Sequence, residues 1–444
     1  MPQTTGSVAH VDRDEDNVFR AVTVGILQPA TRLTRCDVGS FASDGAFFKH
    51  AWFRPGQLLS LTGRDSNNTN VTPLVRIAAA AGETKLDYES LFKATKDLVD
   101  TDPLVHPENP TPRTLHAAIN DIDTLHYADG SDIISSTLTK TFPDCQEKRC
   151  VLHHIKAARA KKGPSWHDNL AWACASAETK DDYDAALARF LNVNTDAALY
   201  FDNLDHDKWT TYRAKAMRQR TLAIRTNNAA EQFNSKALMC GIRQSNPLDA
   251  VHKYVMQASE DAAKVRDNIH KWKTAGKLMT PYAEKRYHEQ EDFALNCTCR
   301  PIDDTTYTVT YHKSQSDSHV REVDWAAKTC TCGEWDRYGI ACRHGIKVGK
   351  QVARQNGWSK QRLLRELCMP GFLLSNYEKA CAGSIRVPDM SGLQRQATAL
   401  FAPPIPAHKP GRRQNKRKQA GGMAVGTAKR QRGRPSTAAT AVDV

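Results

Sequence analysis

The 444-residue chain has no apolar run of the roughly 18–20 residues a membrane-spanning helix needs, so no integral α-helical membrane protein is expected. Its opening stretch, MPQTTGSVAHVDRDEDN, has no basic segment followed by an apolar one, so no secretory signal is expected. Without secretion, twelve cysteines favour free thiols and metal over a disulfide frame. No internal repeat is visible. Acids are the scarcer charge: 49 Asp and Glu face 62 Lys and Arg, a net of +13, which points to an anionic partner such as nucleic acid. What is present suffices for folding. Hydrophobic residues make up 40% and charged ones 25%, enough for a buried core, and the length implies two or three units.

The pattern divides the chain. Residues 1–34 read as a lead-in. From Arg35 to Ala81, apolar runs broken by Arg54-Pro55-Gly56 and Asp65-Ser66-Asn67-Asn68 read as three meandering strands. Residues 85–98 carry the spacing of an amphipathic helix. Asp123 to Tyr127 reads as a fourth strand, with Ser131 as the cap of the next helix. Residues 145–220 read mostly helical, and further helices are expected over about 229–240 and 248–272. Tyr307–Tyr311 and Val320–Trp325 read as strands. After Pro403 the composition is that of a disordered tail.

The sharpest motif is Cys330-Thr331-Cys332, nine residues, then Cys342-Arg343-His344. Three thiolates and an imidazole complete a tetrahedral shell for structural zinc. In extended chain, residues i and i+2 point to one side, so each pair grips one ion. With no open position, such an ion holds the fold and does no chemistry. The stretch 301–350 resembles the SWIM zinc finger, which pairs C-x-C with C-x-H. Cys297-Thr298-Cys299 is a competing pair without a C-x-H of its own.

Three acids stand out ahead of the finger: Asp44 before Gly45, Asp129 before Gly130, and Glu231 within Asn227-Asn228-Ala229-Ala230-Glu231-Gln232-Phe233-Asn234. Two acids at strand ends and one on a later helix are what two-metal phosphoryl transfer requires. Hard oxygen donors suit Mg²⁺ or Mn²⁺. Each acid also has a plainer reading: two ordinary turns, and a capping box between Asn228 and Glu231.

The flanking blocks resemble the transposase domain of Mutator-like elements. They are Ser43-Asp44-Gly45, Glu83 ahead of Leu91-Phe92, His126 to Gly130, Phe142-Pro143-Asp144, Cys150-Val151-Leu152-His153, and the block ending in Asn234. The order of transposase domain, SWIM finger and basic tail is similar to that family and to the far-red-impaired-response-type factors. The resemblance implies an α+β or α/β fold: an RNase H-like core over 35–260 with a helical insertion at about 155–220. A helical linker over 261–300, the finger, a helical extension over 351–400 and a disordered basic tail over 401–444 would follow. It implies Asp44, Asp129 and Glu231 as catalytic metal ligands, with Cys150 and His153 as an accessory pair. Packing on one helix face explains that pair equally. The residues ahead of Asp44 are expected to be too few for the family's separate N-terminal DNA-binding domain.

Ten cations and no acid lie in residues 409–434, leaving a net of +3 for the rest. Such a run binds phosphates without sequence preference. Arg432-Gly433-Arg434-Pro435 looks like the core of an AT-hook, which enters an A·T minor groove. Lys416-Arg417-Lys418 reads as a nuclear import signal, and the two readings are compatible. The expectation is a nuclear, zinc-binding DNA transposase acting on transposon ends and target DNA. Protein partners at the finger and a second copy of the chain are its further expected partners. The alternatives are a catalytically inactive, transposase-derived regulator that binds DNA, and a zinc adaptor for proteins.

Overall fold

In the run Leu58-Leu59-Ser60-Leu61, Leu58 faces one side of a sheet and Leu59 and Leu61 the other, as strand alternation requires. All three leucines are fully buried, so both faces of this sheet are covered. The computed structural model describes residues 7–51, 53–101, 113–163, 166–314 and 318–388. The basic tail and its Arg432–Pro435 motif lie outside the described residues.

The first elements are β1 (Val8–Arg13), β2 (Phe19–Gly25), α1 (Leu27–Cys36), β3 (Ser40–Phe47), β4 (Gln57–Arg64) and β5 (Asn70–Ala78). Then come α2 (Lys85–Lys93), a short pair β6 (Val99–Asp100) and β7 (Arg113–Thr114), and α3 (Leu115–Ile119). β8 (Leu125–Ala128), α4 (Asp132–Thr141) and β9 (Gln146–Arg149) follow. Seven strands form one sheet in the order β1-β2-β5-β4-β3-β8-β9. Pairing is antiparallel from β1 through to β3, and parallel from β3 to β8 and β8 to β9. One face packs Leu59, Leu61 and Leu74 against Tyr88, Leu91 and Phe92 of α2 and Leu138 of α4. The other packs Leu58, Val75 and Ile77 against Ala237 and Tyr254 of two later helices.

The lead-in read over residues 1–34 is corrected: it holds β1, β2 and most of α1. Beyond strand pairing and apolar burial, one buried cation ties them to the sheet. Arg76 of β5 is 3% exposed. Its guanidinium donates to Asp87 at 2.9 Å and Thr23 at 2.9 Å, and meets Asp12 of β1 at 2.6 Å. A buried charge must be paired, and β1 and β2 supply two of the partners.

A helical body follows: α5 (Val151–Lys162), α6 (Asp168–Ser176), α7 (Lys180–Val193), α8 (Thr195–Asp202) and α9 (Thr211–Ala216). It has its own aromatic core of Trp166, Tyr183, Phe190, Phe201 and Trp209. α10 (Asn228–Met239) returns to cover β3 and β4. α11 (Pro247–Thr274) starts on an Asn246 cap, whose side chain accepts from the Asp249 amide, with Pro247 in the first turn. α12 (Pro281–Ala294) completes the helices before the finger. The boundary drawn at residue 260 therefore falls inside α11.

The finger is a four-stranded antiparallel sheet, β10 (Cys297–Pro301), β11 (Thr306–His312), β12 (Ser318–Asp324) and β13 (Thr329–Cys330). α13 (Glu334–Tyr338) and α14 (Arg343–Gln355) follow, then α15 (Lys360–Leu367) and α16 (Leu374–Ala380). β10 starts ahead of residue 301 and joins the sheet of the finger strands. The helices that follow it pack back on the chain: Val309, Ile346, Leu367 and Tyr377 share one core with Cys36 and Val38, beside β3.

Candidate metal centres

Cys330 ends β13, and Gly333, with φ +73°, turns the chain directly after Cys332. A left-handed turn of this kind suits glycine. A second left-handed glycine, Gly339 at φ +63°, ends α13 and sends the chain back to Cys342. The second ligand pair is not extended, as the spacing had implied. Cys342 is the N-cap of α14 and His344 lies in its first turn, so helix geometry brings them together. The ligand atoms of Cys330, Cys332, Cys342 and His344 all lie within 4.8 Å of one another. The Cys330 and Cys342 sulfurs are each 3.7 Å from His344 Nδ1. Tetrahedral zinc with sulfur at about 2.3 Å and nitrogen at about 2.0 Å places such atoms about 3.6 Å apart, so the shell fits the ion. Burial, and then the Cys330 and Cys332 sulfurs beside it, push the Cys342 thiol upward. A divalent cation removes that repulsion. Cys297 and Cys299 stay outside the cluster. Cys297 is buried in the core, with Cys299 packed against it.

The acids occupy the switch point of the larger sheet, between β3 and β8, where parallel pairing begins. Crevices for ligands open beyond the carboxyl ends of strands at such points. Asp44 is not in a turn: it lies within β3, opposite Ser60 of β4. Its Oδ2 accepts from Asn234 Nδ2 at 2.9 Å, which ties β3 to α10. Asp129 follows β8, and Gly130 at φ +93° turns into α4. Ser131 holds the N-cap position, yet its hydroxyl makes no cap bond; Asp129 Oδ1 instead accepts from the Ser131 amide at 2.8 Å. Glu231 is in the first turn of α10, and no capping box forms there. Its Oε1 lies 3.7 Å from His153 Nε2 and 3.9 Å from Lys156 Nζ.

Sequence reasoning left Glu83 out of this set. It lies just before α2, and its Oε2 accepts from the Tyr88 hydroxyl at 2.9 Å. A Cβ on Gly45 would fall 2.4 Å from Glu83 Oε1, so the glycine beside Asp44 is what admits this fourth carboxylate. Burial, then Glu83, push the Asp44 carboxyl up to about 7, with Asp129 adding to the effect; the Asn234 amide and the Gly45 N–H work against it. Glu83 is raised by burial and Asp129, against the Tyr88 hydrogen bond. Asn234 Oδ1 is buried without a hydrogen-bond partner. These hard oxygen donors repel one another, which suits a divalent cation. Among the described residues, the zinc shell is the one group of three or more ligands drawn within 4.8 Å, so the acids are spread more widely.

Cys150 and His153 open α5, with Cys150 as its N-cap. The Cys150 thiol is fully buried and raised by that burial, while the Asn227 and His153 amides pull it down. His153 faces Glu231, and its charge is disfavoured by burial and Lys156. The pair therefore splits, with the thiol packed inside and the imidazole turned to the acids.

A SWIM zinc finger family profile matches residues 307–348. No curated protein sequence matches the chain.

Proposed function

We propose that the chain is a DNA transposase of the Mutator-like type, with an RNase H-like core that hydrolyses and joins phosphodiesters. The observation that carries this reading is the placement of acids on neighbouring central strands and on the helix that covers them. The strand order β5-β4-β3-β8-β9, antiparallel up to β3 and parallel after it, supports it. So does the helical body inserted between β9 and α10. Asp44, Asp129 and Glu231 would hold Mg²⁺ or Mn²⁺, which supplies activation of the attacking oxygen and charge neutralisation at the leaving one. Asn234 orients Asp44, and Lys156 places a cation beside Glu231 for a phosphate. The zinc shell is closed and serves the fold. The tail would bind DNA phosphates and direct nuclear import. The finger would offer a surface to protein partners, and pairing of transposon ends would bring two copies of the chain together.

That no three of the acids are drawn together as the zinc ligands are is what a second reading stands on, a zinc-stabilised DNA-binding regulator whose acids no longer act. The test is a nicking assay with the full chain, supercoiled plasmid and random-sequence duplexes in Mg²⁺ or Mn²⁺. Cleavage that disappears in Glu231→Gln is expected. Intact DNA with the wild-type chain, together with DNA retention unchanged in the variant, would establish the regulator instead.

A further inference from the structure

The segment that enters α10 carries backbone strain. Arg218, Leu222 and Ala223 have φ of 53°, 49° and 59°, and none is glycine. Two consecutive left-handed L-residues persist only where surrounding structure holds them. The finger does the holding. The Leu222 amide donates to the Arg337 carbonyl at 3.0 Å. The Leu222 side chain is buried in the core that contains Cys330, Trp335 and Cys342. Arg337 lies in α13, inside the loop closed by the zinc ligands. Its guanidinium meets Glu334 at 3.2 Å and Glu178 at 3.4 Å, and Lys215 reaches the same Glu178 at 3.4 Å. The zinc loop thus grips both the strained segment and the helical body.

On its other side the segment sets the acidic site. The Ile224 carbonyl accepts from the Tyr127 hydroxyl at 3.0 Å, next to the end of β8 that leads to Asp129. The Arg225 carbonyl accepts from the Val151 amide at 3.0 Å, fixing the start of α5, which carries His153. Asn227 is the N-cap of α10, which carries Glu231 and Asn234.

We propose that the zinc loop is a positioning element for the acidic site, acting through Arg337 and Leu222 on residues 222–227. The functional part of this inference rests on the metal-dependent reading above; the structural coupling does not. The test is hydrogen exchange on the full chain, with zinc bound and after chelation. Zinc loss should speed exchange at Leu222 and over residues 227–231 about tenfold, the effect of losing one or two net hydrogen-bond contributions. Amides of β4 and β5 should keep their protection. Because chelation can open the whole finger, Leu222→Ala in the zinc-loaded chain is the second arm. It should retain one zinc, show the same local acceleration, and nick DNA about tenfold more slowly with DNA retention unchanged, as expected for a displaced reactive group. Unchanged exchange over 222–231 in Leu222→Ala would overturn the proposal. Accelerated exchange beside a wild-type chain that cuts no DNA would support the positioning and overturn only the catalytic reading.

Discussion

Acid should destabilise this protein through His126. The imidazole sits on β8 with no exposed surface, its Nε2 3.0 Å from Ser43 Oγ and the Phe92 ring 5.8 Å away. Its Nδ1 is buried without a hydrogen-bond partner. Burial pushes its pKa from 6.5 down to about 3, against a small upward pull from Glu147. In the unfolded chain the ring protonates near its ordinary value, whereas the folded chain keeps it neutral. Below about pH 6.5 the unfolded state therefore binds the extra proton, and stability falls as pH falls toward the folded pKa. At about 1.36 kcal/mol per pH unit, the loss from this ring between pH 7 and 5 is about 2 kcal/mol. That is a sizeable part of the roughly 5–15 kcal/mol of a typical domain. The assay is urea unfolding of wild type and His126→Phe at pH 7 and pH 5. Carboxylates, other histidines and zinc ligands contribute to both proteins and cancel in the difference, as distant sites do. The variant should lose about 2 kcal/mol less than wild type across that step, whatever its stability at pH 7. Equal losses in the two proteins would refute the argument.

Two other perturbations test the packing around the acids. Gly45→Ala would place a Cβ 2.4 Å from Glu83 Oε1 and 2.9 Å from Leu59 Cδ2, and should cost about 1–3 kcal/mol in urea unfolding. Glu83→Ala in the same chain should restore part of that loss, leaving the Leu59 share. Arg32 donates to Asp65 and, at 2.8 Å, lies against the Tyr377 hydroxyl, which itself donates to Asp65 at 2.7 Å. Arg32→Met leaves a carboxylate that is 1% exposed without its cation and should cost about 3–5 kcal/mol. Adding Asp65→Asn should recover most of it, measured by thermal unfolding.

The elements legible in the sequence are those whose signal is local. The zinc ligands follow from spacing over fifteen residues, and β3, β4 and β5 from apolar runs between turn clusters. β1 was not legible because its side chains are mostly exposed and its partners are distant: Asp12 matters only once Arg76 is known to be buried. Cys297 and Cys299 show how one geometry serves two ends. Side chains at i and i+2 share a face, which would grip an ion, and here the same alternation points Cys297 into the core and packs Cys299 against it. Glu83 was legible only as an acid ahead of an aromatic-containing helix, with no role at the site. The signal that it sits beside Asp44 was Gly45, and a missing Cβ becomes informative only when the neighbouring strand and helix are in place.

The two centres differ in what they can contribute. Four soft ligands around one point leave no position for a reacting group, so the finger can act on a reaction only by holding other residues. The acids are the reverse: mutually repelling, partly open, and held by separate supports on separate elements. Those supports are hydrogen bonds from Asn234, the Ser131 amide and Tyr88, each from a different helix or turn. On the proposal above, stiffness enters at the left-handed pair Leu222 and Ala223, where the Arg337 carbonyl of the finger accepts from the Leu222 amide. The nearly balanced charge of the chain outside the tail fits the same division. On the proposed function, long-range attraction to DNA would belong to the ten cations of residues 409–434, and the folded body would provide alignment rather than capture.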